Sequence, residues 1–114
     1  MPPDDIARIA HIIQSARRIA AWVHRVEKDA FDADDLLQSG IAYEIQKIGE
    51  AAYHVTEEFK VQTQHIPWHK ITGMRHRLVH DYFDIDAEVV WEVAINRLPE
   101  LVNQLLPFAP AEEE

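Results

Sequence analysis

The side chains best suited to chemistry lie in one run, Arg75-His76-Arg77-Leu78-Val79-His80-Asp81-Tyr82. Arginine is permanently cationic and forks onto phosphate oxygens. Histidine takes or gives a proton near neutrality, and Tyr82 adds a hydroxyl. These are the groups that metal-independent cleavage of an RNA phosphodiester requires. One imidazole removes the 2′-OH proton, a guanidinium stabilises the charged phosphorane, and a second acid protonates the leaving oxygen.

Spacing constrains how these groups meet. On a continuous helix Arg75 and His80 point about 140° apart. They converge only if the helix unwinds near His80 or if a second copy of the chain supplies half of the groups. One imidazole does not easily serve as both base and acid in a single step. A composite site across a two-fold interface is therefore expected. A competing chemistry is metal binding, because His69, His76 and His80 fall on one helical stripe and a histidine pair four residues apart suits zinc. Arg77 stands where a metalloprotease helix carries its glutamate, and two neighbouring arginines disfavour a dication, so no metal site is expected. Other residues have plainer roles. Trp68, Phe83 and Trp91 read as core anchors, Tyr43 and Tyr53 as half-packed side chains with wet hydroxyls, and Arg77 as a partner for Asp81 or Asp84. Asp81, Asp84 and Asp86 read as turn and cap residues.

The elements that must position this run read as helices. Ile6, Ile9, Ile13, Ala16, Ala20 and Val23 alternate spacings of three and four, which predicts an amphipathic helix over about 4–28. His11, Arg18 and Arg25 recur on its opposite, solvated face. Asp32, Asp34 and Asp35 signal a second helix start. Leu37, Ile41, Ile45, Ile48, Ala52, Val55 and Phe59 extend that helix over about 34–59, with Gly49 offering a close helix contact or costing stability. Lys60 to Ile66 reads as a loop. Pro67 opens a third helix that ends near His80. Asp84 or Asp86 caps a fourth, which Pro99 should kink. The expected fold is all-α, an antiparallel four-helix bundle with a kinked last helix. It forms a single domain over residues 1–107, followed by a frayed acidic tail over 108–114.

Composition narrows the function. The chain has 114 residues, 47% of them hydrophobic, and no cysteine, which excludes disulfide scaffolds and thiolate chemistry. Three glycines cannot build a phosphate-cradling loop. No membrane span and no signal peptide are read, so a cytoplasmic setting is expected. The net charge of −9 argues against a nucleic-acid binder on average. From Phe59 to His80, however, there is no Asp or Glu, while Lys60, Lys70, Arg75 and Arg77 all lie within. An anionic ligand would be drawn there.

The run Ile66-Pro67-Trp68, then Gly73-Met74-Arg75, Arg77-Leu78-Val79-His80, Tyr82-Phe83 and Val90-Trp91-Glu92 resembles the HepT-like group of HEPN-domain proteins. The similarity extends to Ile48-Gly49-Glu50-Ala51 and Leu98-Pro99-Glu100-Leu101, nearly the whole chain. The group's signature of Arg, four residues, His, one residue, Tyr maps onto Arg75, His80 and Tyr82. The resemblance implies an all-α ribonuclease toxin of a toxin–antitoxin pair, with Arg75 and His80 catalytic and no cofactor. It implies an RNA substrate and a homodimer with its motifs at the interface. It also implies a minimal nucleotidyltransferase antitoxin that transfers AMP to Tyr82. Lys70, His76 and Arg77 are expected to help hold substrate, with His76 standing where the group often has Asn. The alternative is a non-catalytic, nucleotide-binding helical partner of such a nucleotidyltransferase. The paired Arg and His favour the enzyme.

Overall fold

A computed structural model describes residues 3–79 and 84–110. Helix α1 (Pro3–Val23) carries Asp4 and Asp5 in its first turn, where carboxylates suit the positive helix end. It buries Ile9, Ile12, Ile13, Ala16, Ile19 and Val23. The helix stops short of the expected residue 28. Arg25 takes a left-handed backbone with φ of 62°, and a short helix, α2 (Lys28–Asp32), turns the chain and buries Phe31. Gln38 ties this corner down by donating from Nε2 to the Phe31 carbonyl at 2.9 Å.

Helix α3 (Asp35–His54) starts where Asp34 accepts from the Leu37 amide at 2.9 Å. It lies antiparallel to α1, because the contacts run in opposite sense along the two chains. Asp5 meets Thr56, Arg18 meets Glu44, and the Trp22 ring lies over Gly40. The second predicted helix does not continue to residue 59. Val55 is extended, and Thr56 caps a new helix, α4 (Glu57–Gln62), by accepting from the Phe59 amide. The Thr56 amide and hydroxyl donate to the fully buried Asp5 at 2.9 and 2.6 Å. That exchange satisfies a carboxylate inside the fold and fixes the break.

Helix α5 (Trp68–Met74) follows Pro67 and buries Trp68, Ile71 and Met74. Trp68 also donates to Thr63 Oγ1 at 2.9 Å. The helix ends at Met74, not near His80, and Arg75 to Leu78 form a turn. Val79 and Ile85 then make an isolated antiparallel bridge across the intervening residues. Asp86 caps α6 (Ala87–Glu92) through the Val89 amide. A wider π-helical turn over Val93–Arg97 leads into α7 (Leu98–Leu105) and a 3₁₀ turn over Leu106–Phe108. Pro99 explains the wide turn, since its ring would crowd the carbonyl of Ile95 in a regular helix and it donates no hydrogen bond. Phe108, assigned to the tail by composition, packs edge-on against Phe59 with ring centroids 5.2 Å apart.

The architecture is all-α, with α1, α3, α5 and the α6–α7 run as the four main bodies around one core. Trp68 is buried, and the Trp91 ring packs at a tilt against Phe31 with centroids 4.9 Å apart, as anchors should. No helix among the described residues is long and apolar enough to cross a membrane.

Candidate active site

Arg75 is the one motif residue with a built environment among the described residues. It follows the last residue of α5, beside the C-terminal half of α3. Gly49 of α3 faces this junction. A Cβ at residue 49 would sit 3.5 Å from the Ile71 and Thr72 carbonyl oxygens and from Arg75 Cβ. At the next residue, Glu50 Oε2 accepts from Arg75 Nη1 at 2.5 Å. The Arg75 guanidinium lies over the Tyr53 ring, 5.3 Å from its centroid. Its Nε is buried with no acceptor among the described residues. The guanidinium is thus held by a carboxylate and an aromatic face, while a quarter of the side chain remains exposed.

The second carboxylate oxygen of Glu50 accepts from His54 Nε2 at 3.0 Å. The His54 ring stands edge-on to Tyr53, 5.2 Å away. Glu50, Tyr53, His54 and Arg75 form one arc on the molecular surface. Sequence reading missed His54 entirely and gave Glu50 no role. The i, i+4 spacing of Glu50 and His54 was the only available signal. Their joining to Arg75, far along the chain, is a tertiary event.

The remaining site residues divide between faces. Lys70 and Arg77 line a groove of about 700 Å³ between α5 and the α6–α7 run, with His65, His69 and the apolar Ile71 and Met74 beneath. Three glutamates share this groove. Glu88 is paired to Lys28 at 2.6 Å and Glu92 faces Arg97 at 3.7 Å, leaving Glu100. Arg77 forms no ion pair with Asp84, its expected partner, and Asp81 lies outside the described residues. His76 is exposed in the turn after α5. Because α5 ends at Met74, the helical stripe expected for His69, His76 and His80 does not continue, and the angle inferred for Arg75 and His80 on one helix does not apply. His80, Tyr82 and Phe83 lie outside the described residues.

The charge picture also changes. The acid-free stretch of sequence is not acid-free in space, since Glu50 meets Arg75, and Glu57 approaches Lys60 at 3.9 Å.

The profile of the Ribonuclease HepT-like family matches residues 12–107. A provisionally named RNase of Caldanaerobacter subterraneus subsp. tengcongensis is 30% identical over 97 residues, 85% of this chain and 87% of that one. A provisionally named RNase of Methanocaldococcus jannaschii is 27% identical over 106 residues, covering 92% of this chain and 88% of its own. A protein of Thermococcus cleftensis named as a probable ribonuclease HepT is 29% identical over 98 residues, 86% of this chain and 84% of that one. No solved structure matches the chain significantly. The chain belongs to the HepT-like family of ribonucleases.

Proposed function

We propose that this chain is a metal-independent endoribonuclease acting as the toxin of a toxin–antitoxin pair, with Arg75 and His80 as its catalytic residues. The observation that carries this reading is the placement of Arg75, anchored by Glu50 and Tyr53 yet open at the surface. A guanidinium fixed in this way is pre-oriented toward charge that develops on a phosphorane, so its stabilisation costs little reorganisation during reaction. Helix α5 ends at Met74, so the divergence that one continuous helix would impose on Arg75 and His80 does not apply. In this reading two copies of the chain lend groups to each site. Lys70, His76 and Arg77 hold the flanking phosphates of the RNA, with Lys70 and Arg77 drawing the strand along the groove beside α5.

The partner in this reading is a minimal nucleotidyltransferase that transfers AMP to Tyr82. A phosphodiester placed there carries negative charge toward Arg75 and His80, and blocks the substrate phosphate by occupancy and repulsion.

The test is cleavage of transfer and messenger RNA by purified protein in the presence of a chelator. Wild-type protein is expected to cut. R75A and H80A are each expected to lose at least ~10²-fold in rate while keeping their helical circular dichroism. After incubation with the partner and ATP, a Tyr82 peptide is expected to gain the mass of AMP and cleavage to stop. Full activity in both alanine variants would remove these residues from the mechanism.

A further inference from the structure

Cleavage of an RNA strand by attack of its own 2′-hydroxyl needs two proton transfers, and one His80 supplies one of them. We infer that His54 is the general base of this ribonuclease, oriented by Glu50. The inference rests on the ribonuclease reading above and names a residue that the signature motif does not contain. In place of a second copy's His80, it finds the second imidazole within the same chain.

Three observations support it. His54 and Arg75 bind the two oxygens of a single carboxylate, Oε1 and Oε2 of Glu50, so the imidazole and the phosphate-binding guanidinium are held as neighbours. Second, an ionised carboxylate only accepts hydrogen bonds, so the His54 Nε2 that faces it carries the hydrogen. In the neutral ring this leaves the lone pair on Nδ1, which is the tautomer a general base requires. A carboxylate that orients an imidazole in this way is the device of hydrolytic triads. Third, His54 is half exposed at the end of α3 and stands edge-on to Tyr53, whose ring supports Arg75. The ring is therefore partly open to solvent, beside the place where a phosphate on Arg75 would lie.

The step balances as follows. His54 Nδ1 takes the proton of the 2′-hydroxyl, and the 2′-oxygen forms a bond to phosphorus. Arg75 stabilises the charge on the non-bridging oxygens. The bond from phosphorus to the 5′-oxygen breaks, and the leaving oxygen takes a proton from His80 in its imidazolium form. The products are a 2′,3′-cyclic phosphate and a 5′-hydroxyl, with His54 charged and His80 neutral.

The experiment uses the full chain and two RNA oligonucleotides, one normal and one with sulfur replacing the 5′-bridging oxygen at the cleaved linkage. Sulfur leaves without protonation, so it rescues loss of the acid and not loss of the base. H54A and H54Q are expected to cut the normal strand ~10²–10⁴-fold more slowly than wild type and to gain nothing from the sulfur. H80A is expected to recover on the sulfur substrate. Thermal melts of both His54 variants should match wild type, because the side chain is at the surface. Wild-type rates in H54A alongside a crippled H80A would overturn the inference and leave the ribonuclease reading in place, as would rescue of H54A by sulfur. Failure of the wild-type chain to cut either strand would overturn the ribonuclease reading itself.

Discussion

Arg75 shows how a single side chain acquires a role from its surroundings. Its ion pair with Glu50 is partly exposed, and a pair of that kind contributes little to stability. Its effect here is placement, because the carboxylate and the Tyr53 face restrict a long, flexible side chain to one region. The buried pair of α1 and α3 is a different case. Glu44 is almost wholly buried, accepts from Arg18 at 3.0 Å and from Lys47 at 3.1 Å, and is bonded by Ser15. Burial pushes its carboxyl up, but the hydrogen bonds from Lys47 and Ser15 and the charges of Lys47 and Arg18 outweigh burial, so it sits below its ordinary value of 4.5. A carboxylate lowered by folding stabilises the fold above its unfolded value and loses that contribution as pH falls through the folded one. The melting temperature should therefore begin to fall as pH drops below 4.5, and E44Q should flatten that decline in a pH series of thermal melts.

At the scale of elements, the junction of α3 with α5 decides whether Arg75 reaches its partners. Gly49 is the point of closest approach, and a Cβ there would make ordinary contacts at 3.5 Å. G49A is therefore expected to fit, and to gain up to ~1 kcal/mol from better helix propensity in a denaturant titration. G49L carries a branched side chain into the α5 carbonyls and Arg75. It is expected to cost about 1–3 kcal/mol as an overpacked contact and to reduce RNA cleavage sharply. Retained cleavage in G49L would mean that this junction does not set the position of Arg75. The breaks at Val55 and Met74 belong to the same scale. Hydrophobic periodicity runs through Val55 to Phe59 and predicts one continuous helix. The buried Asp5, which takes both the amide and the hydroxyl of Thr56, competes with that continuity. A local cap signal, Thr56 followed by Glu57 and Glu58, was present in the sequence.

For the whole molecule, the question is how many chains build one site. If Arg75 and His80 meet across a two-fold axis, R75A and H80A are complementary. A mixed dimer then holds one site with both wild-type residues and one with neither. Mixing the two inactive variants in equal amounts, after unfolding and refolding together, is expected to restore roughly a quarter of wild-type cleavage, since half of the dimers are mixed and each has one intact site of two. No recovery would place both residues of a site in one chain. The acidic body bears on the same scale. A net charge of −9 does not steer RNA toward the molecule as a whole. In the proposed reading, the cations that remain unpaired among the described residues near the site, Lys70 and Arg77, attract the strand locally.

Read alone, the sequence determined the all-α class, the stripes of Ile9 to Val23 and Ile41 to Ala52 that form the core, acidic helix starts within Asp32–Asp35 and at Asp84 or Asp86, and the family, while the structure chose Asp34 and Asp86 as the caps. These follow from periodicity, side-chain capping and local motif, which act between residues a few positions apart. Tertiary structure alone decided that α5 stops at Met74, that Arg75 turns toward α3 while Arg77 and Lys70 turn toward α7, and that Glu50 joins Arg75 to His54. The physical reason is that a guanidinium finds its carboxylate by distance in space. Glu50 and Arg75 lie 25 residues apart, and only the packing of α5 against Gly49 brings them within a hydrogen bond.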